Sequence, residues 1–264
     1  MILALDVGNS HIFGGVFDND KLKFKFRKQS RANVSSDELG IFLKSVLREN
    51  NIEADQIEDI SICSVVPDLS HSLRNCSIKY FNIEPFVLLP GAKTGLNIKY
   101  KNPSEVGADR ISNAIGTTHL FPRKNLIIID FGTANTLCAI SKEKEYLGGL
   151  ILPGLKISVD ALSSRTAKLP TVEIVVPQEK IGRSTIESIQ SGIFYGNLFQ
   201  MKELAKMIKN EYFSNEESLV IGTGGFARLF EHENLFDELI PDLVLLGLNF
   251  ALKLNREKIY ATND

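Results

Sequence analysis

The opening of this chain occurs twice, and that constrains its fold more than any other feature. "MILALDVGNSHIFGGVF" can be laid over "NLIIIDFGTANTLCAIS", Asn125 to Ser141, so that Asp130 falls on Asp6 and Gly132 on Gly8. Few residues are identical, yet each segment reads as an apolar strand, an Asp-x-Gly turn and a second apolar strand. Repeating the whole unit predicts a duplicated architecture: two similar α/β domains, each opening with a hairpin, facing each other across a cleft. Chance recurrence of a common hairpin is the alternative. The expected division is 1–120 and 121–264.

Periodicity fills in the rest. Apolar runs at Ile2 to Val7, Ile12 to Phe17 and Leu22 to Phe26, joined by tight turns, predict an antiparallel meander. Ser35 to Asn50 carries a Ser cap ahead of Leu39, Phe42, Leu43, Val46 and Leu47 at helical spacing. A strand from Ile57 to Pro67, a helix from Asp68 to Phe81 and a strand from Phe86 to Leu89 follow. The second half adds the strand "EYLGGLILPG", helices over Leu155 to Arg165 and Thr185 to Tyr212, the strand "SLVIG", a Gly turn and a terminal helix from Asp242 to Lys253. That last helix is apolar nearly all round and so must be buried on more than one side. Gly192 and Gly196 form a GxxxG on the long helix, which lets another helix approach closely, either within the chain or in a two-fold dimer.

Charge and cysteine usage exclude several classes. Lys and Arg number 30 against 32 Asp and Glu, so nothing draws the chain broadly to nucleic acid or an anionic membrane. Asp6 interrupts the first apolar run too early for a signal-peptide core, and no run approaches the ~18 residues of a spanning helix, so a cytoplasmic location is expected. Cys63, Cys76 and Cys138 are odd in number and set in apolar surroundings, as buried free thiols are. His11, His71, His119 and His232 lack the HxxxH or CxxC companions of a metal cage.

The two aspartates then need a reason. Tight Gly turns expose backbone N–H groups that bind phosphate, but a carboxylate beside phosphate is repulsive unless a cation intervenes. Asp6 and Asp130 on opposing hairpins therefore suggest a nucleotide whose phosphates and magnesium ion are held across the cleft. An Asx turn is the alternative. The absence of GxxxxGK[ST] excludes a P-loop. "GTGGFA", Gly222 to Ala227, satisfies G-x-G-x-x-A, but no second βαβ unit follows it, so it reads as a Gly turn on which an adenosine rests. In "GADRISNAIGT", Gly107 to Thr117, Asp109 and Arg110 open an amphipathic helix whose positive end keeps a carboxylate ionised. Such an Asp can accept a hydroxyl proton during phosphoryl transfer, while Arg110 neutralises an acidic substrate or the moving phosphoryl group. A helix-capping Asp109 beside a solvated Arg110 is the alternative.

With "DVGNS", "GADR", "DFGTANT", "GGLILPG", "GRSTIESIQSGIFYG" and "GTGG" in order, the chain resembles the type III pantothenate kinases, members of the superfamily of actin, heat-shock ATPases and sugar kinases. The resemblance implies two ribonuclease H-like (actin-like ATPase) α/β domains with a nucleotide cleft between them. It implies ATP-dependent phosphorylation of the primary hydroxyl of pantothenate, the first step towards coenzyme A. By the same likeness Asp6, Val7, Gly8, Asn9, Ser10, His11, Ile12 and Phe13 form the first phosphate loop, and Thr133 contacts ATP. Asp130 would hold a monovalent cation, potassium or ammonium, beside the magnesium ion of the nucleotide. Asp109 would be the proton acceptor, with Tyr100, Gly107, Ala108, Asp109 and Arg110 lining the pantothenate pocket. Thr185 would reach substrate across a homodimer interface. Ser10 stands where the family often has Thr, and Asn135 where a small or hydroxylated residue is frequent. The competing readings are a non-catalytic regulator of the same fold and a kinase acting on a sugar or another small alcohol.

Overall fold

The computed structural model describes residues 1–31, 33–214 and 216–261. The chain divides into two compact units, the first comprising Met1–Leu96, Tyr100–His119 and Leu243–Asp264, the second Asn97–Lys99 and Leu120–Asp242.

In the first unit the predicted meander is β1 (Ile2–Val7), β2 (His11–Asp18) and β3 (Lys21–Gln29), paired antiparallel. β3 outruns its apolar stretch because ladder pairing with β2 continues through Arg27 to Gln29. As an edge strand rich in lysine, it is protected from pairing with another chain. β4 (Asp59–Ser64) lies parallel to β1 and β5 (Phe86–Val87) parallel to β4, giving the order β3-β2-β1-β4-β5. Between them, α1 (Ser36–Glu49) starts at a capping box in which Ser35 and Glu38 each accept the other's backbone N–H. Such a cap is worth ~1 kcal/mol. A 3₁₀ turn at Pro67–Leu69 leads into α2 (Ser70–Phe81), which ends at Asn82 in the left-handed region (φ 55°). Leu39, Leu43 and Leu47 of α1 and Leu73 of α2 pack on Leu3, Leu5, Val7, Ile60 and Ile62, one face of β1 and β4.

The opposite face of the same strands carries Ala4, Asp6, Ser61 and Cys63, by strand alternation. There the Ser61 hydroxyl donates to the Leu248 carbonyl of α6 (Leu243–Ala261) at 3.0 Å. α6 in turn braces α3 (Ala108–Leu120): Ser112 donates to the Val244 carbonyl at 2.7 Å, and a methyl group at Gly247 would overlap the Ser112 carbonyl. The division expected at 120/121 assigned α6 to the second half. In the structure it packs on β1 and β4, where Leu243, Leu245, Leu248 and Ala251 lose all contact with water.

The second unit repeats the plan. β7 (Asn125–Phe131), β8 (Ala134–Ile140) and β9 (Glu145–Pro153) form the antiparallel meander, and β10 (Ser218–Thr223) lies parallel to β7. The sheet order β11-β10-β7-β8-β9-β6 therefore contains the same arrangement as β4-β1-β2-β3. Its edges β6 (Asn97–Ile98) and β11 (Glu238–Leu239) are two residues each, too short to leave a periodic signal in the sequence. α4 (Leu155–Arg165) and the 28-residue α5 (Thr185–Tyr212) supply the helical layer. Phe131 stacks on Phe230 at 4.5 Å and Phe230 on Phe194 at 5.0 Å, tying β7 to α5. Asn135 on β8 donates to Asn197 of α5 at 2.7 Å, a buried polar link between the same layers. The segment 166–184 has no regular structure but lies along α5, where Gln190 donates to the Glu173 carbonyl at 3.1 Å and Val172 packs with Val159 and Ile189. All three cysteines are buried, and none forms a disulfide.

Candidate functional site

In the first unit, β1 ends at Asp6 and Val7, and the turn Gly8-Asn9-Ser10 closes with the Gly8 N–H donating to the His11 carbonyl at 3.0 Å. Asn9, Ser10 and His11 are exposed, whereas Val7, Ile12 and Phe13 are buried. Of the eight residues expected in the first phosphate loop, those three therefore have core side chains and can offer only backbone groups. The Arg27 guanidinium lies 4.1 Å over the Phe13 ring. Asp6 is half-buried, and its Oδ1 accepts from the Cys63 thiol of β4 at 3.2 Å.

Asp109 lies in the first turn of α3, where its Oδ1 accepts the Arg110 N–H at 2.8 Å. Gly107 explains how the carboxylate is seated: a methyl group there would stand 2.5 Å from Asp109 Oδ1. Glycine leaves the space that the carboxylate occupies. Arg110 is buried, with its guanidinium 5.9 Å from the centre of the Tyr100 ring. Tyr100 and Gly107 to Arg110, all expected in the acceptor pocket, thus come together. Asp6 and Asp109 also share a neighbourhood, because both negative charges reach the Cys63 thiol. Burial first, then Asp6, then more weakly Asp109 push that thiol well above its usual range. It stays protonated, a donor to the carboxylate beside it.

In the second unit three motifs converge that are far apart in sequence. Asp130 and Gly132 precede the exposed Thr133 at the β7–β8 turn. Gly154, from "GGLILPG", lies so close that a methyl group on it would overlap the Gly132 and Thr133 carbonyls. Gly224, from "GTGG", has φ +94°, and a methyl group there would overlap Asp130 Oδ1 and the Phe131 backbone. The Phe226 N–H donates to the Phe131 carbonyl at 3.1 Å, fastening the two turns together. Glycine is required at 224 twice over, for its backbone angle and for the approach to Asp130.

Thr185 opens α5 behind the cap Ser184, whose side chain accepts the Glu187 N–H. It is exposed on an open groove of about 830 Å³ lined by Leu162, Leu169, Arg183, Ser188, Ile189 and Gly192 among others. Two supports escaped the sequence reading, the Cys63 thiol and the backbone contact of Gly224 with Asp130. Cys63 reads in sequence only as a buried thiol. Gly224 lies in a motif already singled out, but nothing in the motif shows what it touches.

Among the described residues no group of three or more His, Cys, Asp or Glu could cage a metal. Magnesium normally keeps its waters and takes one or two carboxylates plus substrate phosphates, so single aspartates on glycine turns fit a metal that arrives with a nucleotide.

The model of the family described as type III pantothenate kinase matches residues 2–207. A type III pantothenate kinase from Legionella pneumophila (strain Paris) is 60% identical over 255 residues, covering 97% of this chain and 99% of that protein. One from Elusimicrobium minutum is 51% identical over 256 residues, again 97% of this chain and 99% of the relative. Among solved structures, the activator of the 2-hydroxyisocaproyl-CoA dehydratase from Clostridium difficile with bound ADPNP covers 100% of this chain and 97% of its own, at TM-score 0.53 and 11% identity. Component A of the (R)-2-hydroxyglutaryl-CoA dehydratase of Acidaminococcus fermentans covers 98% of each chain, at TM-score 0.52 and 11% identity. At that identity the structural likeness speaks to fold alone, the α/β fold of the actin-like ATPases.

Proposed function

The chain belongs to the type III pantothenate kinase family, and on that premise we propose how its own residues carry out the transfer of a phosphoryl group from ATP to pantothenate. Asp109 accepts the proton of the primary hydroxyl. The observation that carries this assignment is its seat at the positive end of α3, with Gly107 leaving room for the carboxylate and the buried Arg110 next in the chain. A carboxylate is the form able to take a proton. Arg110, set against Tyr100, neutralises the carboxylate of the acceptor. Backbone N–H groups at Asn9 and Ser10, in the turn that the Gly8 N–H closes, cradle the nucleotide phosphates, and Asp6 would hold the waters of a bound magnesium ion. Bound magnesium supplies charge neutralisation on the phosphate oxygens. Asp130, backed by Gly224, is the carboxylate we assign to a monovalent cation, and Thr133 to ATP. Positioning and charge neutralisation provide most of the rate in such a transfer.

A homodimer built on α5 completes the proposal. A methyl group at Gly192 or Gly196 would meet nothing within 4 Å, so the GxxxG face is open, and Ile186 and Phe199 are 51% and 59% exposed on the same helix. A second α5 covering that face would carry Thr185 to the partner's substrate. Among the described residues no helix is long and apolar enough to cross a membrane. The cytoplasmic location we propose rests on the family's small-molecule chemistry and the balanced charge of -2.

A coupled ADP-release assay with pantothenate and a panel of sugars, with and without potassium, tests the reading. ADP release is expected with pantothenate alone and should rise with potassium. Release with a sugar but not pantothenate overturns the acceptor. A potassium-independent rate removes the role given to Asp130.

A further inference from the structure

We propose that Cys63 is a positioning residue for the nucleotide metal: its thiol, donating to Asp6 Oδ1 at 3.2 Å, fixes the rotation of the carboxylate that meets the magnesium waters. The inference rests on the role given to Asp6 above.

The geometry comes from strand pairing. β1 and β4 run parallel in the register Asp6↔Cys63, so the two side chains leave the sheet abreast on the same face. Their neighbours Leu5 and Ile62 point to the opposite face, into the core with α1 and α2. A carboxylate at the end of a strand can turn about its terminal torsion, which is broad and only two-fold. A donor fixed in the adjacent strand removes that freedom. Cysteine suits the place because it is small and tolerates full burial, and Cys63 has no solvent exposure. An aliphatic residue would leave the carboxylate without this partner.

The repeat supplies a second, independent observation. In the other sheet β10 runs parallel to β7 in the register Thr223↔Asp130. The residue abreast of the second aspartate is thus again a small side chain with a hydrogen to donate, and Thr223 is only 2% exposed. Two strands that share almost no sequence both place a donor type beside the turn aspartate.

The test uses the full-length enzyme and measures the magnesium requirement in two ways, as the concentration that half-saturates ADP release with pantothenate and as the magnesium dependence of ADP binding by calorimetry without pantothenate. Cys63→Val deletes the donor and adds roughly a methyl group, and Cys63→Ser keeps a donor. Cys63→Val should raise the half-saturating magnesium about 3- to 10-fold, the scale of one ordinary hydrogen bond, as suits a weak thiol donor, and lower kcat at saturating magnesium by less than that. Cys63→Ser should recover most of the loss. In an Asp6→Ala background, Cys63→Val should add less than about twofold, since its partner is gone. An unchanged magnesium requirement in Cys63→Val, an equal loss in Cys63→Ser, or an undiminished Cys63→Val effect in the Asp6→Ala background overturns the proposal and leaves the role of Asp6 standing. If Asp6→Ala alone does not alter the magnesium requirement, the role of Asp6 fails first and this inference with it.

Discussion

The two hairpins that open the two units share a plan and differ in what stands behind them. At the first, the Gly8-Asn9-Ser10 turn is largely exposed, and the support described for Asp6 is a side chain, the Cys63 thiol. At the second, the backbone itself closes in: Gly154 lies against Gly132 and Thr133, and Gly224 against Asp130 and Phe131. A side-chain support can be tuned by one substitution, whereas a backbone support forbids substitution. The turn glycines themselves do not differ in this way, since methyl groups at Gly8 and Gly132 would each find their nearest neighbours at 3.4 Å, ordinary contact. The asymmetry lies in the second layer of residues.

The largest effect expected from the comparison belongs to the first unit alone. If the first unit supplies the chemistry, Asp109→Asn should lower turnover about 10²-fold or more, the scale for losing a general base, while ATP binding by calorimetry stays near that of the parent. Near-normal turnover would refute the assignment. Next is the backbone support of the second hairpin. Gly224→Ala combines a left-handed backbone angle with overlap at Asp130, and about 2–4 kcal/mol of stability should be lost in thermal unfolding. In the first hairpin, by contrast, Gly8→Ala should stay within about 0.5 kcal/mol. Equal losses at the two positions would erase the contrast.

A smaller effect is expected at Gly107. A methyl group there displaces the flexible end of Asp109, not backbone, so Gly107→Ala should cost about 10-fold in kcat, the scale of a misplaced catalytic group, with an unfolding midpoint close to the parent's. A large stability loss instead would show that the close approach is structural. Smallest are the surface ion pairs, one on each unit. Hydrogen bonds from Lys79 first and Tyr80 second hold the Asp37 carboxyl below its usual value, and Lys142 with Asn125 does the same for Glu216. A carboxyl lowered in the folded state stabilises it above the unfolded value, and the benefit is lost as pH falls through the lowered one. Asp37→Asn should therefore be slightly less stable than the parent at neutral pH, with the gap closing in acid. A gap that widens in acid would contradict the sign.

Much of the fold was legible because it is written in local patterns. The meanders, the cap at Ser35 and α5 follow from periodicity and end signals that need no distant partner. The two-residue strands β6 and β11 were not legible, since only their neighbours in the sheet make them strands. Of the candidate site, Asp6, Asp109 and Asp130 were named from their turns and helix start, and the family from six motifs in order. The expected boundary at 120/121 followed the repeat and could not see that α6 crosses back: apolarity on all sides says that a helix is buried but not against which sheet.

The sequence by itself determined the duplicated hairpins, the acidic turn positions and the kinase family, because each is carried by residue type and spacing along the chain. Only the tertiary structure decided that Cys63 stands abreast of Asp6, that Gly224 rests on Asp130 and that Gly107 makes room for Asp109. The first two are set by the register of parallel strands, whose partners are joined through long crossovers, so no local pattern records which residue will lie beside which. The third depends on the rotamer that a carboxylate adopts at a helix start, which packing selects and sequence leaves open.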